Sequence, residues 1–161
     1  MQSTPPPIDA ETRRFLKRMV DSYQRLLGES LFERSDESAI LEQCWNSNRV
    51  LVAHDGAADP VLVFGNAMAL KLWEMSWDEF VGTPSRQTAE APRRAERGEM
   101  LQAAAEKGYF RGYEGVRISA SGERFMIKSA TIWNVLTEDG EKIGQAATFQ
   151  DWESVVAASE D

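Results

Sequence analysis

The last third of the chain constrains the fold most. "YFRGYEGVRISASGERFMIKSATIWNVLTEDGEKIGQAATFQDW", residues 109–152, alternates apolar and polar positions and is rich in β-branched and aromatic residues. Turn signals interrupt it at "ASGE" (120–123) and "EDGE" (138–141). Alternation broken by such turns predicts three antiparallel strands in a meander. A three-stranded meander with one apolar face needs something to cover that face. The rest of the chain must supply it.

Earlier segments predict two more strands and several helices. "RVLVAHD" and "VLVFGN" flank the turn "GAADP" and read as a near-hairpin. "AMALKLWEM" is helical, and "SWDEF" restarts a helix with Ser76 and Glu79 in capping-box spacing. "TPSRQTAEAP" reads as a loop or broken helix, and "RRAERGEMLQAAAEKG" as an amphipathic helix ending at Gly108. At the start, "STPPPIDAE" begins as an extended arm. A helix from about Ala10 to Leu27 follows, capped by Asp9 and stopped by Gly28. Phe15, Met19, Tyr23, Leu26 and Leu27 form its apolar stripe, with Leu16 and Val20 beside it. "SDESAILEQCWNSN" reads as a second short helix capped by Ser35 or Asp36.

The expected organisation is a Pro-rich arm (1–8), an N-terminal helical extension (9–48), an α+β domain (49–153) and a short acidic tail (154–161). Two strands before a helical insertion and three after it make a single five-stranded antiparallel sheet. Helices cover one face, and the N-terminal helix partly covers the other. This order, with an Asn-containing turn after the second strand, is the PAS architecture.

Composition narrows the function. The net charge of −8 argues against nucleic-acid binding or an anionic membrane surface. No apolar run approaches the roughly 18 residues a spanning helix requires, and the N-terminus lacks the order of a secretory signal. A cytoplasmic protein is expected. Cys44 is the single cysteine and His54 the single histidine, so no internal disulfide forms and no protein-only zinc site is expected. Cys44 beside Trp45 reads as a small core residue. No Gly-rich phosphate loop or enzyme constellation is present, and a non-enzymatic role is expected.

The chain resembles the MEKHLA domain family, a PAS-related family. The resembling segments are "FGNAMALKLWEMSWDEFVGTPSR", "RAERGEMLQAAAEKGY", "YEGVRISASGERFMIKSATIWN" and "GQAATF". The resemblance implies a sensory or ligand-binding module, here expected to stand alone. It names no ligand.

Candidate site residues follow from the expected faces of the sheet. Regular alternation over 125–135 puts Phe125, Ile127, Ser129, Thr131, Trp133 and Val135 on one face, and Met126, Lys128, Ala130, Ile132, Asn134 and Leu136 on the other. Lys128 marks the second face as outer. An inner pocket would then be walled by Trp73, Trp77, Phe125 and Trp133, with Ser129, Gln145 and Arg86 as polar groups. The aromatic residues also read as the core of a corner, and the inner face as a packed core. Arg86 reads either as a bidentate anchor for a carboxylate or phosphate, or as the partner of a carboxylate such as Glu90.

"GTPSR" is weakly similar to the flavin-binding loop of the LOV subclass of PAS domains. There a reactive cysteine precedes an arginine that meets the flavin phosphate, and Gln145 matches a glutamine that meets the ring. Ser85 stands in the cysteine position, so no cysteinyl photoadduct is expected. Flavin is a weak candidate and haem a weaker one. The leading expectation is a small organic ligand, anionic if Arg86 binds it. The other readings are an interaction module with a side-chain-filled pocket and a small-molecule enzyme using Arg86. The width of the N-terminal apolar stripe further suggests a homodimer through residues 10–27.

Overall fold

A computed structural model describes residues 4–32, 39–88, 102 and 106–155. The helix expected over 93–108, the cap at Ser35 or Asp36, Glu90 and the end of the acidic tail lie largely or wholly outside these residues.

Helix α1 spans Ala10–Leu27. The Asp9 carboxylate accepts the Thr12 backbone N–H at 2.8 Å, satisfying one of the first-turn donors. Gly28 takes the left-handed conformation and returns its N–H to the Gln24 carbonyl at 2.9 Å. A short helix α2 (Ile40–Trp45) follows. Strands β1 (Val50–Asp55) and β2 (Leu62–Gly65) form the first hairpin. Helices α3 (Ala67–Trp73) and α4 (Trp77–Phe80) and a 3-10 turn (Ser85–Thr88) come next. Strands β3 (Tyr109–Ile118), β4 (Arg124–Leu136) and β5 (Lys142–Phe149) complete the expected meander. A sixth strand, β6 (Asp151–Val155), extends the line of β5 past Gln150 along the first half of β4.

The sheet is antiparallel throughout, in the order β2-β1-β5-β4-β3, with β6 on β4. Its six strands thus fill five positions. The outer edge of β2 is covered by the segment after α4. The Leu62 N–H reaches the Thr83 carbonyl, the Gly82 N–H reaches the Leu62 carbonyl, and Val61 bridges Pro84.

Two apolar clusters lie on opposite faces. On one, α1 and α2 place Leu16, Met19, Val20, Tyr23, Leu41 and Cys44 over Leu51, Ala53, Trp133, Val135 and Ala146. The Trp133 indole N–H donates to the Met19 carbonyl at 2.9 Å, and the Tyr23 and Trp133 rings meet edge-on at 4.9 Å. The Ser22 hydroxyl accepts the Leu136 N–H at 2.8 Å. Much of the α1 stripe is therefore packed within the chain, with Phe15, Leu26 and Leu27 partly buried. On the other face, Trp73 and Phe80 sit over Val50, Phe125, Ile127, Ile132 and Phe149. Gly65 permits this approach, since a Cβ there would lie 2.6 Å from the Phe80 ring.

Asn66 joins the layers. It is fully buried at the start of α3, and its Oδ1 accepts the Ala69 N–H at 3.0 Å and the Leu51 N–H at 3.2 Å. Its Nδ2 donates to the carbonyls of Arg49 at 2.7 Å and Cys44 at 3.1 Å. Glu74, left-handed at the end of α3, ties this helix to the β3–β4 hairpin. Its carboxylate accepts the Ser119 hydroxyl at 2.7 Å and the Ser121 N–H at 3.2 Å. Hydrogen bonds from Ser121 and then Ser119 hold it below the usual carboxylate range.

Candidate functional site: a polar row on the helix-covered face

Regular alternation along β4 fails at Ser129. Its φ is 51°, the left-handed region, and the register with β3 shifts there, between Tyr113 and Gly115, beside a second shift between Arg111 and Tyr113 that contains Gly112 at φ 83°. This bulge exchanges the two faces of the strand. Phe125 and Ile127 face α3 before it; Ala130 and Ile132 face α3 after it. Trp133 and Val135 therefore face α1 instead.

The expected pocket residues are redistributed accordingly. Trp73 and Phe125 do meet, with ring centroids 5.2 Å apart, and Phe80 and Phe149 join them in a packed aromatic plug. Trp77 turns away to Trp45 and Phe64. Trp133 lies on the opposite face, under α1. Ser129 is exposed at the bulge. Arg86 is exposed, and its Nε donates to the Asp59 carboxylate at 3.1 Å. It is a surface pair joining the 3-10 turn to the β1–β2 hairpin, away from the polar anchor expected on the sheet. Ser85 starts that turn, its N–H on the Pro60 carbonyl.

Gln145 keeps the expected face, in alternation with Ala147 and Phe149. Across the sheet it stands opposite His54 on β1 and Asn134 on β4. These three residues form one half-buried polar row over the three central strands. The Gln145 amide Nε2 lies 3.4 Å from the Asn134 Oδ1. His54 Nδ1 lies 2.7 Å from the Asp55 carbonyl, which can only accept, so Nδ1 carries the proton. Nε2 is the ring nitrogen left for another partner. Next to this row lies an apolar one of Val52, Ala147, Ile132 and Phe110. The polar row itself holds no carboxylate, lysine or arginine.

His54 and Asn134 were not expected here. His54 carried no motif, and Asn134 falls on the outer face until the bulge is known. Cys44 is buried, which pushes its thiol up to about 12 and leaves it unreactive as a nucleophile. Among the described residues no group of three or more potential metal-ligating side chains forms, and no helix is long and apolar enough to cross a membrane.

Comparison with known proteins agrees with this architecture. The MEKHLA domain model matches residues 13–154. The chain belongs to the MEKHLA domain family. No protein of curated function matches it. Among solved structures, it is similar to the PAS domain of a protein from Colwellia psychrerythraea, with TM-score 0.57 and 16% identity over 71% of this chain and 92% of that one. It is also similar to a light-oxygen-voltage domain studied with a flavin analogue, with TM-score 0.55 and 15% identity over 74% and 86% of the two chains. A third similar structure is an RNA-binding light-oxygen-voltage receptor, with TM-score 0.61 and 16% identity. That match covers 76% of this chain and 35% of the receptor. These likenesses establish a PAS-like fold for this MEKHLA domain.

Proposed function

We propose that this MEKHLA domain is a sensory module that binds a small, neutral organic ligand on the sheet face bearing His54, Gln145 and Asn134. One observation carries the reading: a half-buried row of hydrogen-bonding side chains crosses the central strands beside an apolar floor. Such a pairing supplies apolar affinity with a few orienting polar contacts. Gln145 offers both donor and acceptor, and His54 offers its Nε2. With Arg86 turned to Asp59, the row holds no lysine or arginine to compensate an anion, so a neutral heterocycle fits better than a phosphorylated one. The role is binding rather than turnover.

The second reading is an interaction module, supported by the side chains of Trp73, Phe80, Phe125 and Phe149 that fill part of this face. Native mass spectrometry of the full chain separates the two, with riboflavin and its phosphate as added probes. The expected result is a retained small-molecule adduct, from the host or from riboflavin, that is lost in Gln145→Leu and kept in Arg86→Ala. Riboflavin phosphate should bind no more tightly than riboflavin, and illumination should produce no cysteinyl adduct. A bare chain under all conditions would overturn ligand binding and favour the interaction module.

A further inference from the structure

Arg117 differs from the carboxylate-paired cations of this acidic chain. Lys17, Arg18, Arg86, Arg111 and Lys128 each have a carboxylate partner. Arg117 is half-buried and has none among the described residues. Its guanidinium carbon sits 5.4 Å from the Tyr113 ring centroid. Its Nη1 donates to the Tyr113 hydroxyl and to the Val116 carbonyl, each at 3.2 Å. Two neutral oxygens thus occupy one end of the guanidinium. The opposite edge, formed by Nε–H and one Nη2–H, has the spacing that receives a carboxylate in bidentate fashion.

The neighbouring residues hold that edge in place. Tyr113 is buried, and its ring runs along β3 over Gly115, where any Cβ would collide with the ring and hydroxyl. Gly115 therefore lets the hydroxyl reach Arg117. Across the ladder Arg117 stands opposite Phe125, which packs on Trp73. This position is nine residues along β4 from Asn134, roughly 30 Å at strand rise. It is a different place from the polar row.

We propose that the free edge of Arg117 is a receptor for the carboxylate of a small organic acid. A partly desolvated guanidinium gains most from a charged, geometrically matched partner. The chain carries 26 acidic and 18 basic side chains, and its net charge of −8 repels polyanions far more than a monoanion. The site therefore selects a monocarboxylate over an acidic peptide or a phosphate dianion.

The test is a titration of the full chain at constant ionic strength with benzoate, inorganic phosphate or a glutamate-rich peptide, followed through arginine Nε–H resonances. Benzoate should shift the Arg117 signal saturably and leave the Arg86 signal still. Arg117→Lys, which keeps the charge and loses the fork, should weaken benzoate at least tenfold with its melting temperature kept. Tyr113→Phe, which frees Nη1 to swivel, should weaken it about two- to fivefold. Equal benzoate affinity in Arg117→Lys, parallel shifts at Arg86, or tighter binding of phosphate or peptide than of benzoate would overturn the proposal.

Discussion

Asn66 shows how much one side chain can carry. Its four hydrogen bonds satisfy two backbone N–H groups and two carbonyls drawn from α2, the approach to β1, β1 itself and α3. Replacing it strands polar groups in an interior that water does not reach, at about 1–3 kcal/mol for each group left unsatisfied. Asn66→Ala should therefore cost about 3 kcal/mol or more in urea unfolding. Asn66→Asp keeps both acceptor contacts but sets a carboxylate against the carbonyls of Cys44 and Arg49, so it should recover only part of the loss. A decrease below about 1 kcal/mol for Ala would show that the contacts are dispensable. The sequence marked Asn66 as a strand-to-helix turn, because such a cap is local. Its bonds to residues 15 to 22 positions earlier depend on tertiary placement and left no local signal.

At the level of elements, β4 turns on Ser129. A non-glycine residue at φ 51° is strained, more so with a branched Cβ. Ser129→Gly should be neutral or stabilising, and Ser129→Val should lose at least about 1–2 kcal/mol in thermal or urea denaturation. Unchanged stability in the valine variant would mean that the bulge is absent. The same residue explains where the sequence could be read and where it could not. Helix α1 was legible because Asp9 and Gly28 act within a few residues of its ends. The capping box at Ser76 and the five sheet positions were legible for the same reason, since local chemistry and alternation signal them. The faces of β4 were not, because a bulge at serine carries no composition signal and Gly112, in the neighbouring register shift on β3, reads as an ordinary glycine. One bulge moved Trp133 from the expected pocket to the α1 side and brought Asn134 to Gln145. The carboxylate partner of Arg86 was not legible for another reason: sequence separation of 27 residues hides Asp59.

The whole molecule couples its two faces through shared strands. Residues alternate between them along β1 and β5, so the layer of α1 and α2 is not an appendage to a finished domain. It covers Leu51, Ala53, Trp133, Val135 and Ala146, all nearly inaccessible. Cys44 reports on this coupling, because its thiol lies in the layer at 0% exposure and its backbone carbonyl accepts from Asn66. If the extension and the sheet open together, iodoacetamide reaches Cys44 only through global unfolding. Its alkylation rate should then rise with urea along the same slope as the unfolding equilibrium measured by tryptophan fluorescence. Leu16→Ala, which opens a cavity between α1 and the sheet, should cost about 2–5 kcal/mol. The same variant should speed alkylation about thirtyfold or more, in step with that loss. Fast alkylation with a shallow urea dependence would mean that α1 and α2 detach alone from a folded sheet. In that case Leu16→Ala would speed labelling while leaving the fluorescence transition unmoved. Labelling uses the one thiol the chain contains and fluorescence uses its own tryptophans, so neither readout needs an engineered probe.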